Sequence, residues 1–224
     1  MITLVSLGMS CQTAHQLAQY ADLNARSVVF VKGPFDWLIC PPSNAADWLN
    51  ANLRDFDVDD IVEYRGRAYW PEFDFWFWHG FIDHSDDRRT VDLAGYAERE
   101  LSKLVYQRNR FSALDASRTL FFVSNTQNNL IPEVFETTET HRYSFELHEI
   151  EKLQISLDGF FHKSTNLHVL SRFDRIDPRL LQQANVHVLP VDNSEWKGSS
   201  GEWKDRLDHI LASEKPHTLK AHLE

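Results

Sequence analysis

The sequence contains no uninterrupted apolar run approaching the ~18 residues that a membrane-spanning helix requires. It is also poor in positive charge, because 23 lysine and arginine residues face 33 aspartate and glutamate residues and leave a net charge of −10. Binding to nucleic acid or to an anionic membrane requires clustered basic side chains, so neither partner is expected. The residues after Met1 do not have the basic leader and long apolar stretch of a secretory signal peptide, which favours a cytoplasmic protein.

Cysteine is equally scarce, with Cys11 and Cys40 as the two examples. In a reducing compartment each is expected to be a free thiol, and Cys40 is expected to be a small buried hydrophobe. Cysteine pairs at metal-ligand spacing, His-Glu-x-x-His and glycine-rich phosphate loops are all absent. Side chains of metal-ligand type do cluster, at His79, Asp83, His84, Asp86 and Asp87. Because their spacing matches none of the specific motifs, we predict neither a metal nor another cofactor.

Short apolar runs that are rich in β-branched and aromatic residues predict buried strands at 2–7, 119–123, 167–170 and 186–189, with a further extended segment at 28–31. Enough chain separates them for crossover helices, which is typical of a parallel sheet. Helical periodicity predicts helices at 13–23, 45 to about 53, 91 to about 111, 147–157, 178–183 and from about 201. These elements predict an α/β fold: one three-layer domain over 1–224 with a mainly parallel sheet of four or five strands.

Aromatic side chains are abundant, with 7 Trp and 15 Phe, and many of them fall within 73–81. A run so apolar must form core or a ligand cleft, because exposing it would promote aggregation. We therefore interpret the acidic and aromatic segment 55–90 as an insertion that forms one wall of a site.

The first predicted strand ends in a turn that contains Gly8 and delivers Ser10 and Cys11 to the start of a helix. Open α/β folds bind ligands at this carboxyl edge of the sheet. A helix N-terminus also favours the thiolate form of a cysteine. Cys11 is therefore the predicted nucleophile, and backbone N–H groups at the helix start are predicted to stabilise an oxyanion.

A cysteine nucleophile needs a base, and 11 histidines are available. His79 is the first choice, because Trp78 and Phe81 are expected to desolvate it beside the thiol. His84 is the competing choice, since its acidic neighbours can orient an imidazole.

Asn125 or Asp83 is predicted to orient the imidazole. Asp36 is a polar residue flanked by apolar side chains, a setting in which a polar group usually has a partner or a function. The residues predicted to contact a substrate are Gly8, Ser10, Asp36, Trp37, Trp78 and His84.

Two segments of the chain together resemble a bacterial family of uncharacterised proteins described as papain-like cysteine peptidases. They are Ser6-Leu7-Gly8-x-x-Cys11 and Pro34-Phe35-Asp36-Trp37. The similarity extends to His79-Gly80-Phe81, to 108–111 and to the tryptophans at 196 and 203. The resemblance implies that Cys11 is the nucleophile and His79 the base. Together with the placement of the thiol, it predicts a cysteine-dependent hydrolase or acyltransferase of the peptidase-like kind. It also implies a small-molecule or peptide-like substrate, and it makes a papain-like α+β fold the alternative to the parallel sheet.

Three other functions remain open. Gly8-Met9-Ser10 is similar to the Gly-Asp-Ser block of a class of α/β esterases, with Asn125 in the place of their oxyanion asparagine, so Ser10 is an alternative nucleophile. A non-catalytic protein that binds a sugar or nucleotide-sugar through the aromatic residues and nearby carboxylates is a second alternative. A partner-binding scaffold, which would expose the aromatic run, is a third. The sequence gives no oligomeric state.

Overall fold

The structure is a computed structural model that describes residues 1–83, 90–128, 143–192 and 194–220. Its helices are α1 (Cys11–Leu23), α2 (Pro42–Asn50), α3 (Leu93–Ser112), α4 (Leu147–Phe161) and α5 (Ser200–Lys220). Its strands are β1 (Ile2–Ser6), β2 (Val28–Phe30), β3 (Leu38–Ile39), β4 (Val62–Tyr64), β5 (Arg67–Trp70), β6 (Phe75–Phe77), β7 (Ile82–Asp83), β8 (Thr90–Val91), β9 (Thr119–Ser124), β10 (Asn166–Arg172) and β11 (Val186–Leu189).

The central sheet has five parallel strands in the order β2-β1-β9-β10-β11, which confirms the predicted α/β class rather than the papain-like alternative. Leu4 of β1 lies between Phe30 of β2 and Leu120 of β9. The chain first winds from β1 to β2 and then continues on the other side of β1. The order of the strands therefore reverses between β1 and β9, and a doubly wound sheet opens its ligand crevice at the carboxyl ends of such a strand pair.

Alternating side chains of the central strands enter two separate cores. Leu4 and Phe122 face a core shared with α1 and α5, to which Leu17 and Leu207 contribute. The second core takes the side chains that point the other way, among them those of β1, β9 and β10 and those of α2, α3 and α4, including Val5, Ala46, Leu104, Phe121, Ile150, Leu153 and Val169. Helices on both faces of the sheet give the three predicted layers.

Most of the aromatic run is core rather than cleft. The segment around it forms an antiparallel sheet of four strands in the order β3-β6-β5-β4, and β7 and β8 form a separate ladder. Phe75 and Phe77 point from this sheet into the second core, where Phe75 meets Trp48 edge to face with ring centroids 5.3 Å apart. Because these rings are buried, the aromatic run does not offer the exposed face that a scaffold would need.

Three of the predicted helices differ from those observed. The helix predicted from 45 begins instead at Pro42, where proline is favoured because it lacks an N–H that would go unpaired. Segment 178–183 is a short 3-10 helix, Pro178–Gln182. The buried face of α3 carries Glu100 and Gln107 together with Leu104 and Phe111, whereas the apolar Val105 is 38% exposed.

None of the helices in the described part of the chain is long and apolar enough to cross a bilayer.

Candidate functional site

The turn between β1 and α1 places Cys11 at the first position of α1, beside the point where the strand order reverses. Gly8 adopts φ = +85°, and a Cβ at this position would lie 2.6 Å from the Cys40 sulfur, so only glycine fits. Met9 follows with φ = +66°, a left-handed conformation that costs a residue with a side chain on the order of 1 kcal/mol. The local fold thus holds this turn in a conformation that an unconstrained chain would avoid.

Cys11 is 2% exposed, and burial raises the pKa of its thiol to about 12, with the Asp36 carboxyl adding to the increase. Among the described residues, no imidazole is hydrogen-bonded to this thiol. The charged group that acts on the Cys11 thiol is therefore an acid, Asp36, rather than a base. In this conformation Cys11 is a protonated thiol at neutral pH, which differs from the thiolate that the helix N-terminus alone would favour.

Asp36 is the most strongly perturbed acid at the site. Its side chain is buried, and burial raises the pKa of its carboxyl to about 8, although the Gly33 N–H and the charges of Lys32 and Lys103 oppose the shift. Its Oδ2 atom accepts a hydrogen bond from the Gly33 N–H at 3.2 Å. Its Oδ1 atom is buried and has no hydrogen-bond partner among the described residues. Such a buried polar atom is costly unless something else pairs with it.

Asp36 borders a small open pocket of about 30 Å³ between α3 and the two strands β3 and β6, lined by Pro34, Asp36, Trp37, Leu38, Phe77, Gly80, Glu100, Lys103, Leu104 and Gln107. Glu100 is mostly buried, and it accepts hydrogen bonds from Arg99 at 2.7 Å and from Lys103 at 3.2 Å. Apolar and polar groups therefore line one concave site, whose interior is of a size that water can fill.

His79 differs from its prediction, because its side chain is exposed rather than desolvated. The alternation of β6 ends at Phe77, and Phe81 turns into the core with φ = +58° instead of covering the imidazole. The His79 ring meets the edge of Trp37, with centroids 5.5 Å apart. Trp37 in turn has φ = +67°, so left-handed residues flank both Asp36 and His79.

Trp78 is half-buried, and the guanidinium of Arg67 lies over its ring at 4.6 Å from the centroid. The ring of Trp37, in contrast, lines the pocket beside Asp36. Of the two tryptophans predicted to contact a substrate, Trp37 is therefore the one that reaches the pocket.

The two residues predicted to orient an imidazole are held by other partners. Asp83 is in β7 and accepts a hydrogen bond from the Tyr96 hydroxyl at 3.2 Å. The Asn125 amide donates to the carbonyl oxygens of Tyr143 and Arg175, each at 2.8 Å, and accepts from the Ser171 hydroxyl at 2.7 Å. In this structure Asn125 ties together the loops that follow β9 and β10.

His84, the competing base, lies outside the described residues, as do Asp86 and Asp87. Within the part of the chain that is described, no group of three or more histidine, cysteine or acidic side chains is arranged to hold a metal ion.

Ser10 and its neighbours occupy the crevice between β1 and β9. The Ser10 hydroxyl is buried and donates to the Ser124 carbonyl oxygen at 3.4 Å. The Gln12 N–H donates to the Gln127 side chain at 3.0 Å, and the Gln12 side chain accepts from Thr126 and donates to the Trp196 carbonyl at 2.9 Å. Side-chain amides of the protein itself therefore occupy the carboxyl edge of the sheet, where a ligand was expected. The Gln12 N–H, at the helix start where an oxyanion hole was expected, already donates to Gln127.

Fold and site together define a doubly wound α/β protein with a small open pocket beside Asp36, away from the crevice between β1 and β9. No protein-family model, no curated protein and no solved structure matches the chain.

Proposed function

We propose that the protein is a non-catalytic binding protein for a sugar or nucleotide-sugar, and that the ligand lies across the open mouth of the pocket beside Asp36 and Trp37. The observation that supports this proposal is the buried Asp36 Oδ1 atom, which lacks a partner among the described residues and belongs to a side chain that lines the pocket. A ligand polar group that pairs with this atom would remove the cost of leaving it unsatisfied.

The other lining groups suit a carbohydrate. Trp37 offers an apolar ring against which the C–H face of a sugar can pack, and the Glu100 carboxylate and Gln107 amide offer hydrogen-bonding groups for hydroxyls. The pocket needs no thiolate, which agrees with the raised pKa of the buried Cys11 thiol. In this function Cys11 packs the turn and takes no part in chemistry.

Titration calorimetry with a panel of monosaccharides and nucleotide-sugars tests the proposal. We expect saturable binding that Cys11→Ser leaves unchanged and that Trp37→Ala abolishes, with Trp78→Ala as the matched control because its ring lies outside the lining of this pocket. Binding that survives Trp37→Ala, or that depends on Cys11, would contradict it.

The second candidate is a cysteine-dependent hydrolase or acyltransferase of the peptidase-like kind. The position of Cys11 supports it, since the thiol starts a helix two residues after the left-handed Met9, and strained residues concentrate at reactive sites. In this reaction the thiol sulfur attacks an acyl carbon while a base, His79 or His84, removes the thiol proton. The leaving group departs with that proton, and water or another acceptor then releases the acyl group from the sulfur.

Hydrolysis of p-nitrophenyl acetate by four proteins separates the enzymatic alternatives. Loss of turnover in Cys11→Ala but not in Cys40→Ala would support the thiol enzyme. Loss in Ser10→Ala alone would support the esterase. Equal background rates in all variants and in wild type exclude turnover of this acyl donor by either nucleophile.

A further inference from the structure

A pocket of about 200 Å³ lies between α1 and the start of α5, on the face of the sheet opposite to the pocket beside Asp36. It is several times larger than the pocket of about 30 Å³ beside Asp36. Its volume also exceeds the ~150 Å³ of an apolar cavity that holds benzene. The space between the two helices therefore admits a molecule built on one aromatic ring.

The walls of this pocket are mainly apolar. Tyr20, Trp203 and Leu207 line it, and each of them is at most 5% exposed. Leu23, the last residue of α1, also lines the pocket and is 75% exposed. A ligand would cover part of this apolar side chain, and burial of apolar surface favours binding. An aromatic ligand would gain further from edge or face contacts with the rings of Tyr20 and Trp203.

Hydrogen bonds around the pocket fix α1 against the chain that begins α5. The Gln16 side-chain amide donates to the Lys197 carbonyl oxygen at 2.6 Å, and the Tyr20 hydroxyl donates to Asp208 at 2.6 Å. Because these contacts join the two sides of the pocket, its shape does not have to be assembled by a ligand. A site that is formed in advance loses less free energy to ordering when it binds.

The polar lining groups indicate an uncharged ligand with one hydrogen-bond donor. The Gln16 side chain is 2% exposed, and its amide oxygen accepts a hydrogen bond from no described residue. An O–H or N–H group of a ligand would pair with this oxygen. Lys204 is the charged residue of the lining, and its ammonium already lies 2.6 Å from the Asp208 carboxylate. The pocket therefore has an acceptor to satisfy but no uncompensated positive charge.

We propose that this pocket binds a small uncharged aromatic molecule with one O–H or N–H donor, of the phenol or indole kind. The ring packs against Tyr20, Leu23 and Trp203, and the donor pairs with the Gln16 amide oxygen. This site does not depend on the proposed sugar-binding function, because the two pockets share no lining residue.

Two-dimensional ¹H–¹⁵N NMR during titration of the full chain with phenol, toluene and benzoate tests the inference. Phenol should cause saturable shifts of the Trp203 indole N–H and of the Gln16 side-chain amide, with the Trp37 indole unchanged. We expect phenol to bind about fivefold more tightly than toluene, in which a methyl group replaces the hydroxyl, since one hydrogen bond is lost. Benzoate should also bind more weakly than phenol, because Lys204 is already paired. An absence of saturable shifts at Trp203, or binding of toluene or benzoate as tight as that of phenol, would overturn the inference.

A pair of variants locates the ring. Leu23→Ala should weaken phenol binding about threefold, because apolar contact area is lost, and should fold normally, because the side chain is mostly exposed. Ile155→Ala is the matched control, since Ile155 is 70% exposed on α4 and lies outside the lining of this pocket. Equal phenol affinity in the two variants would show that the ring does not lie between α1 and α5.

Discussion

The neutral state of Asp36 has a measurable consequence for stability. Its pKa is raised to about 8 in the folded protein from an ordinary value of 3.8, so the folded chain keeps a proton that the unfolded chain has lost. The contribution of Asp36 is fully present below pH 3.8 and is lost as the pH rises through about 8. Between these two values the free energy of unfolding falls by about 1.4 kcal/mol per pH unit, because the folded chain binds one proton more than the unfolded chain.

Two histidines make stability rise with pH instead, but over a more acidic pH range. The pKa values of His168 and His187 are lowered to about 4 by burial, so they favour the folded state above 6.5 and destabilise it as the pH falls toward 4. Between pH 6.5 and 8 Asp36 therefore contributes more than these two histidines to the change of stability with pH. Over this interval the free energy of unfolding should fall by about 2 kcal/mol as the pH rises.

Urea denaturation at closely spaced pH values between 6.5 and 8 provides the measurement. We expect Asp36→Asn to flatten the curve over this range, since the isosteric amide does not titrate. Asp47→Asn is the control, because the Asp47 side chain is 52% exposed and pairs with Lys152 at the surface, so this variant should keep the wild-type slope. A wild-type curve that is already flat, or an Asp36→Asn curve with an unchanged slope, would refute a protonated Asp36.

Two further predictions concern the sheet and the turn. His168→Gln should reduce the loss of stability between pH 6.5 and 4 by about 1.4 kcal/mol per pH unit, because burial lowers the pKa of His168 to about 4 and keeps its ring neutral in the fold over this range. A denaturation series whose stability falls just as steeply in acid as that of the wild type would contradict this. Gly8→Ala should cost at least about 2 kcal/mol, against about 1 kcal/mol for Gly66→Ala, because both glycines have positive φ but only Gly8 lies against a side chain. Adding Cys40→Ala to Gly8→Ala should recover part of the difference in a denaturation experiment, and no recovery would mean that the contact with the Cys40 sulfur is not its cause.

The sheet was predictable from the sequence because its strands are buried on both faces. A strand covered on both sides is a continuous apolar run, and 120–123 is such a run in β9, where every residue is buried. The position of Cys11 at the start of α1 followed from the glycine turn after the first strand. The isolation of Asp36 among apolar neighbours likewise indicated a polar group with a special environment.

The pocket was not predictable in the same way. Glu100 and Gln107 line the pocket from the buried face of α3. In an amphipathic helix, however, polar residues usually indicate the face that contacts solvent. The available signal for a buried position was their helical spacing with Leu104 and Phe111. His79 was misplaced because neighbouring apolar residues do not fix side-chain direction once a strand has ended. The Gln12 network joins residues up to 184 positions apart, which no local pattern reports.

The location of the ligand is the most direct test of the proposed function. Two-dimensional ¹H–¹⁵N NMR during titration with N-acetylglucosamine should show saturable shifts of the Trp37 indole N–H and of the Gln107 side-chain amide, with the Trp203 indole unchanged. Trp203 is the control because it lies near Gln12 on the opposite side of the sheet, at a second cleft. Shifts at Trp203 and Gln12 with none at Trp37 would place the ligand at the carboxyl edge of the sheet and contradict a binding site beside Asp36.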